Sequence, residues 1–61
     1  MTALEFRAAR EQLGLTQADL AALIGHTKNH ISAMERDVKP IQRPTALLMQ
    51  ALLSGWRPAD A

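Results

Sequence analysis

The chain contains no cysteine and no tyrosine, and its 61 residues include one phenylalanine, one tryptophan, three glycines and three prolines. Without cysteine there is neither a disulfide framework nor a thiolate metal site. β-Branched residues are few, and the Ala- and Leu-rich pattern predicts an all-α chain. No apolar run reaches the roughly 20 residues needed to span a bilayer; the longest lies within TALLMQALLSGW. The opening stretch MTALEFRAAR carries Glu5 and has no signal-peptide h-region, so a cytoplasmic, soluble protein with no membrane partner is expected. No repeat, low-complexity segment or linker divides the chain. Residues 1–57 are expected to form one domain and 58–61 a frayed tail. A domain of this size buries only about 60% of the surface its unfolded chain exposes, so it starts from marginal stability.

The net charge is only +1. Its distribution is more informative. Residues 1–25 carry Arg7 and Arg10 against Glu5, Glu11 and Asp19. Residues 26–43 carry Lys28, Arg36, Lys39 and Arg43 against Glu35 and Asp37, and hold the positive excess. A local basic patch of this kind steers a polyanion better than the overall charge suggests.

Four helices can be placed. TALE opens the first as a reciprocal capping box between Thr2 and Glu5. Leu4, Phe6, Ala9 and Leu13 form its expected inner face, and Gly14 its stop. The second begins after Thr16, an effective N-cap, and ends at Gly25. Leu20, Leu23 and Ile24 recur at helical spacing, and Ala21 is small enough to let another helix cross closely. The third starts at Thr27 and runs to about Arg36. Steps of about 100° put Thr27, Ile31 and Met34 on one side and Lys28, Asn29, Ser32, Ala33 and Arg36 on the other, with His30 at the edge. Pro40 and Pro44 interrupt DVKPIQRP, and Pro44 is suited to open the fourth helix, TALLMQALLSG. Leu47, Leu48, Ala51 and Leu52 are expected in the core there. Met49, Leu53 and Trp56 remain for a surface, and because so short a chain gains stability by pairing, they are expected at a homodimer interface.

Two helices joined through a short turn that contains glycine, here Gly25-His26-Thr27, make a helix-turn-helix pattern. The segment LTQADLAALIGHTKNHISAMER resembles the helix-turn-helix domains of the phage Cro and repressor (Xre-like) family. Leu15-Thr16-Gln17, Leu20-Ala21, Ile24-Gly25, Thr27, Ile31-Ser32 and Glu35 carry the resemblance. It implies a compact four- to five-helix bundle of the lambda-repressor-like type, and double-stranded DNA as the partner. Anti-CRISPR-associated phage autorepressors are small proteins of similar layout, although no motif here is specific to them. His26 stands where an apolar residue is usual, and ERDVKPIQRP replaces the common Asn-Gly turn.

The resemblance assigns base contacts to Lys28, Asn29, Ser32 and Ala33. It assigns backbone contacts to Thr16, Gln17, Thr27, His30, Arg36, Lys39 and Arg43. Arg10 and Glu35 match positions that pair and tie the first helix to the end of the third. Side-chain chemistry suits these roles: Lys donates to guanine, Asn can bind adenine through two bonds, and the Ala methyl can touch a thymine methyl. Two copies with recognition helices about 34 Å apart would read a palindromic operator as a repressor.

Other readings are weaker. His26 and His30 are four residues apart but have no third ligand near them, so no metal or other cofactor is expected. Ser32 and Ser54 have no obvious base, Asp19 and Glu35 no evident carboxylate partner, and there is no Gly-rich phosphate loop, so neither catalysis nor a small-molecule substrate is expected. The alternative is a protein–protein adaptor or antitoxin-like module built on the same scaffold.

Overall fold

Threonine opens three of the four helices that the computed structural model shows over its described residues, 1–59. These are α1 (Ala3–Gln12), α2 (Gln17–Ile24), α3 (Lys28–Glu35) and α4 (Arg43–Leu53). Asp60 and Ala61, half of the expected tail, lie outside the described residues. The hydroxyls of Thr2, Thr16 and Thr27 accept the N–H groups of Glu5, Asp19 and His30 at 3.1, 3.0 and 3.1 Å. Each thereby satisfies one of the amides that a helix start leaves without an intrahelical partner. Thr2 N–H also donates to the Glu5 carboxylate at 2.8 Å, which completes the capping box. These hydrogen bonds from Thr2 hold the Glu5 carboxyl below its usual range. α4 begins two residues earlier than expected, with Pro44 in its first turn.

The helices also end alike. After α2, Gly25 takes φ 74°, and His26 N–H reaches back to the Ala21 carbonyl at 2.9 Å. After α3 the same reversal falls on Asp37, at φ 60°. Asp37 N–H bonds the Met34 carbonyl at 3.2 Å and Val38 N–H bonds the Ala33 carbonyl at 2.9 Å. This is the paired-bond helix stop that normally uses glycine. An aspartate there pays for its Cβ in a left-handed conformation and sets a negative charge at the negative end of the helix dipole. Asp37→Gly should therefore raise stability by about 0.5–1 kcal/mol, even after the greater freedom of glycine in the unfolded chain is counted. Thermal melting followed by circular dichroism should show a rise of several degrees; an unchanged or lower midpoint would mean the Asp37 side chain contributes more than its backbone costs.

The core consists of Phe6 and Ala9 from α1, Leu20 and Ala21 from α2, Ile31 and Met34 from α3, and Met49 and Leu52 from α4. Leu13, Leu15, Leu23, Ile24 and Ile41 pack around it. α2 packs on α3, and α1 packs on both α3 and α4, so α3 is held from two sides.

Three placements differ from the sequence-based expectation. Leu4 is 78% exposed and lies off the inner face of α1. On α4 the buried face is Thr45, Met49 and Leu52, spaced i, i+4, i+7, while Leu47 is 51% exposed. Met49, expected at a dimer interface, is fully enclosed in the core. The shift amounts to a rotation of about 100°, one residue along the helix. In an almost wholly apolar stretch, Gln50 is the lone polar marker of direction.

Candidate nucleic-acid interface

The first turn of α3 projects away from the core. Thr27 caps it, and Lys28 and Asn29 follow as exposed residues. Ser32 lies one turn on and is half-buried, and Arg36, at the C-cap, is exposed with its Nε bonded to the Ser32 carbonyl at 3.4 Å. Lys28, Asn29, Ser32 and Arg36 thus share one outward strip of α3. Ala33 does not belong to it. It is 8% exposed, and the chain beyond α3 folds back at this point, the amides of Val38 and Lys39 both donating to the Ala33 carbonyl at 2.9 and 3.3 Å. Ala33 therefore offers little surface for the expected contact with a thymine methyl.

Behind the strip, one ionic cluster joins three helices. Arg10 on α1 donates Nε to Glu35 Oε2 at 2.6 Å and Nη2 to Oε1 at 3.2 Å, a fork-to-fork pair. Its Nη1 donates to the Leu15 carbonyl at 2.8 Å. Gln17, the first residue of α2, donates Nε2 to Glu35 Oε1 at 3.2 Å. The side chains of Arg10 and Glu35 are only 13% and 6% exposed. Burial pushes the Glu35 carboxyl up, but the hydrogen bonds from Arg10 and Gln17, with the Arg10 charge, outweigh it, so the group lies below its usual range. The hydrogen bond to Glu35 likewise raises Arg10. Glu35 ends α3, where the helix dipole disfavours an anion; the positive start of α2 and the guanidinium offset this.

The other expected backbone contacts surround the strip. Thr16 is exposed at the start of α2, and its hydroxyl is occupied by Asp19 N–H, which leaves the first amides of α2 free to meet a phosphate. Gln17 is half-buried by its bond to Glu35. Lys39 and Arg43 are exposed in the loop and at the start of α4. His30 is half-buried and stacks on His26, with ring centroids 4.7 Å apart and planes within 9°. Among the described residues no three His, Cys, Asp or Glu side chains converge as a metal site would require. No helix among them is long and apolar enough to cross a membrane.

Of the residues expected at a dimer surface, Leu53 and Trp56 are 38% and 46% exposed, and Trp56 borders one open groove together with Leu47, Leu48 and Ala51. Leu47 was missed by the sequence reading. The signal that could have found it is its place nearly opposite Leu52 on the α4 wheel, once Leu52 is fixed in the core.

A helix-turn-helix family model matches residues 6–54. No curated protein and no solved structure matches the chain. The matched span takes in most of α1, the whole of α2, α3 and α4, the Gly25 turn and the Arg10–Glu35 cluster, and the chain belongs to the helix-turn-helix family of Xre- and Cro-like DNA-binding domains.

Proposed function

We propose that the chain is a sequence-specific transcriptional repressor whose α3 enters the major groove of a palindromic operator, two copies binding together. The observation that carries this reading is the outward strip of Lys28, Asn29 and Ser32 on a helix held rigidly from behind by Arg10, Gln17 and Glu35. The major groove is wide enough for one helix, and a donor-rich first turn can reach base edges there. Thr16, Gln17, Thr27, His30, Arg36, Lys39 and Arg43 are assigned to the sugar-phosphate backbone, where they fix register without reading sequence. Occupation of promoter DNA by the bound domain is the effect on transcription that this reading implies.

Selection of duplexes from a random-sequence pool tests this reading. A two-fold symmetric consensus supports specific readout by a dimer. A folded sample that enriches nothing at low salt abandons the regulator reading in favour of a protein adaptor. The dimer has its own test. Leu47, Leu53 and Trp56 offer exposed apolar surface at the end of α4, so Trp56→Ala should shift the mass measured by sedimentation towards the monomer. An unchanged mass would remove Trp56 from the interface.

A further inference from the structure

One aromatic pair bridges the turn between α2 and α3. His26 closes α2, where its N–H donates to the Ala21 carbonyl at 2.9 Å beside the left-handed Gly25. His30 lies in the first turn of α3, where its N–H donates to the Thr27 hydroxyl at 3.1 Å. The backbone of each is thus anchored at a helix end, and the two side chains meet across the turn. Their ring centroids are 4.7 Å apart and their planes lie within 9°, inside the range of stacked aromatic pairs.

A residue just before a helix cap often packs on the first turns of the helix it precedes, and such staples are ordinarily apolar. Here both partners are imidazoles, and that difference carries chemistry. Stacking covers one face of a ring, whereas its nitrogens lie on the edge. No ring nitrogen of His26 or His30 bonds another group among the described residues, and no buried side-chain nitrogen or oxygen there lacks a partner. Both residues are half-buried, so the ring nitrogens reach solvent.

We propose that His26 is a positioning residue, which holds the His30 ring in one orientation with its free edge aimed at a DNA strand beside the reading strip. This rests on the DNA-binding reading and on the strand contact assigned to His30; the role of His26 is the addition. An imidazole carries at least one N–H in either protonation state, so the edge can donate to a phosphate oxygen. A mobile side chain gives up rotamers when it binds, and one held in place beforehand does not. Thr27 fixes the backbone of His30, and the stack with His26 fixes its ring. His26 itself touches neither base nor strand and acts through His30.

Four variants of the full chain test this, with a short duplex of mixed sequence at low salt as probe and circular dichroism to show that each sample is folded. His26→Ala removes the stack and should weaken duplex binding about two- to tenfold. His26→Phe keeps an aromatic face and should bind as the parent does. His30→Phe keeps the stack but has no ring nitrogen. It should lose at least as much affinity as His26→Ala while melting as the parent does. His26→Ala placed on His30→Phe should add no further loss. A staple with a purely structural role predicts otherwise, since both phenylalanine variants would then bind like the parent. Proton resonances of the His30 ring supply a readout that needs no DNA. The ring current of His26 displaces them from free-histidine positions, and His26→Ala should return them there. Three results overturn the proposal: His26→Phe losing as much affinity as His26→Ala, His30→Phe binding like the parent, or His30 ring resonances that do not respond to His26→Ala. A parent that binds no duplex defeats the DNA-binding reading and the role of His26 with it. A parent that binds while His26→Ala binds equally well defeats the role of His26 alone.

Discussion

Glu35→Ala should cost this domain about 3–5 kcal/mol, the usual consequence of removing one partner from a buried ion pair. Folded domains hold roughly 0.05–0.15 kcal/mol per residue, so the loss is comparable to the whole stability of a 61-residue chain. The mechanism is specific. The Arg10 guanidinium, 13% exposed, keeps its bond to the Leu15 carbonyl but loses both bonds to carboxylate, and Gln17 loses its acceptor. Urea unfolding should show the variant largely unfolded under conditions where the parent is folded. Arg10→Met combined with Glu35→Leu should recover much of the loss, because it leaves no unpaired charge behind. If Glu35→Ala costs less than about 1 kcal/mol, the pair is held no better than an ordinary surface bridge. The same group sets an acid limit. Its carboxyl lies below the usual value when folded and returns to about 4.5 when unfolded. Its contribution is therefore complete above about 4.5 and disappears as pH falls through the lower folded value. The parent should lose stability steeply below pH 4.5, and the double apolar variant should lose less over that interval.

The elements of this fold were legible because their ends are written in single residues. Thr2, Thr16 and Thr27 mark starts, Gly14, Gly25 and Gly55 mark stops, and each does in space what its chemistry allows. The pairing of Arg10 with Glu35 was anticipated through family resemblance rather than spacing, since 25 residues separate them and no local rule connects α1 to the end of α3. What failed was rotation about helix axes. A helical wheel weighs only the residues on the helix itself. Ala33 falls on the outer side of that wheel, yet it is buried at the point where the chain turns back and Val38 and Lys39 bond its carbonyl. In α4, apolar residues on nearly every side left the buried face to be chosen by contact with α1, which no pattern within α4 encodes.

Because Ala33 is only 8% exposed, the proposed base readout rests on Lys28, Asn29 and Ser32, and Asn29→Ala is the sharper probe of that proposal. Asn29 is exposed in the first turn of α3, and its side chain makes no hydrogen bond among the described residues, so its truncation should change folding stability by less than about 0.5 kcal/mol. On the preferred duplex it should cost about 1–3 kcal/mol, roughly 5- to 150-fold in affinity. The salt slope should stay as it was, because no charge is removed. The distinguishing readout is the pattern of loss across sequences. An amide that accepts from and donates to one adenine discriminates at one base pair, so the variant should bind all four bases there nearly equally and keep its preferences elsewhere. Arg36→Ala makes the contrast, weakening every duplex alike and flattening the salt dependence. Uniform weakening by Asn29→Ala would make Asn29 a backbone contact and shift the reading surface to Lys28 and Ser32. Unchanged affinity and preference would mean that α3 does not present this face to the bases at all, and the rigid mounting by Arg10, Gln17 and Glu35 would then serve a protein partner instead.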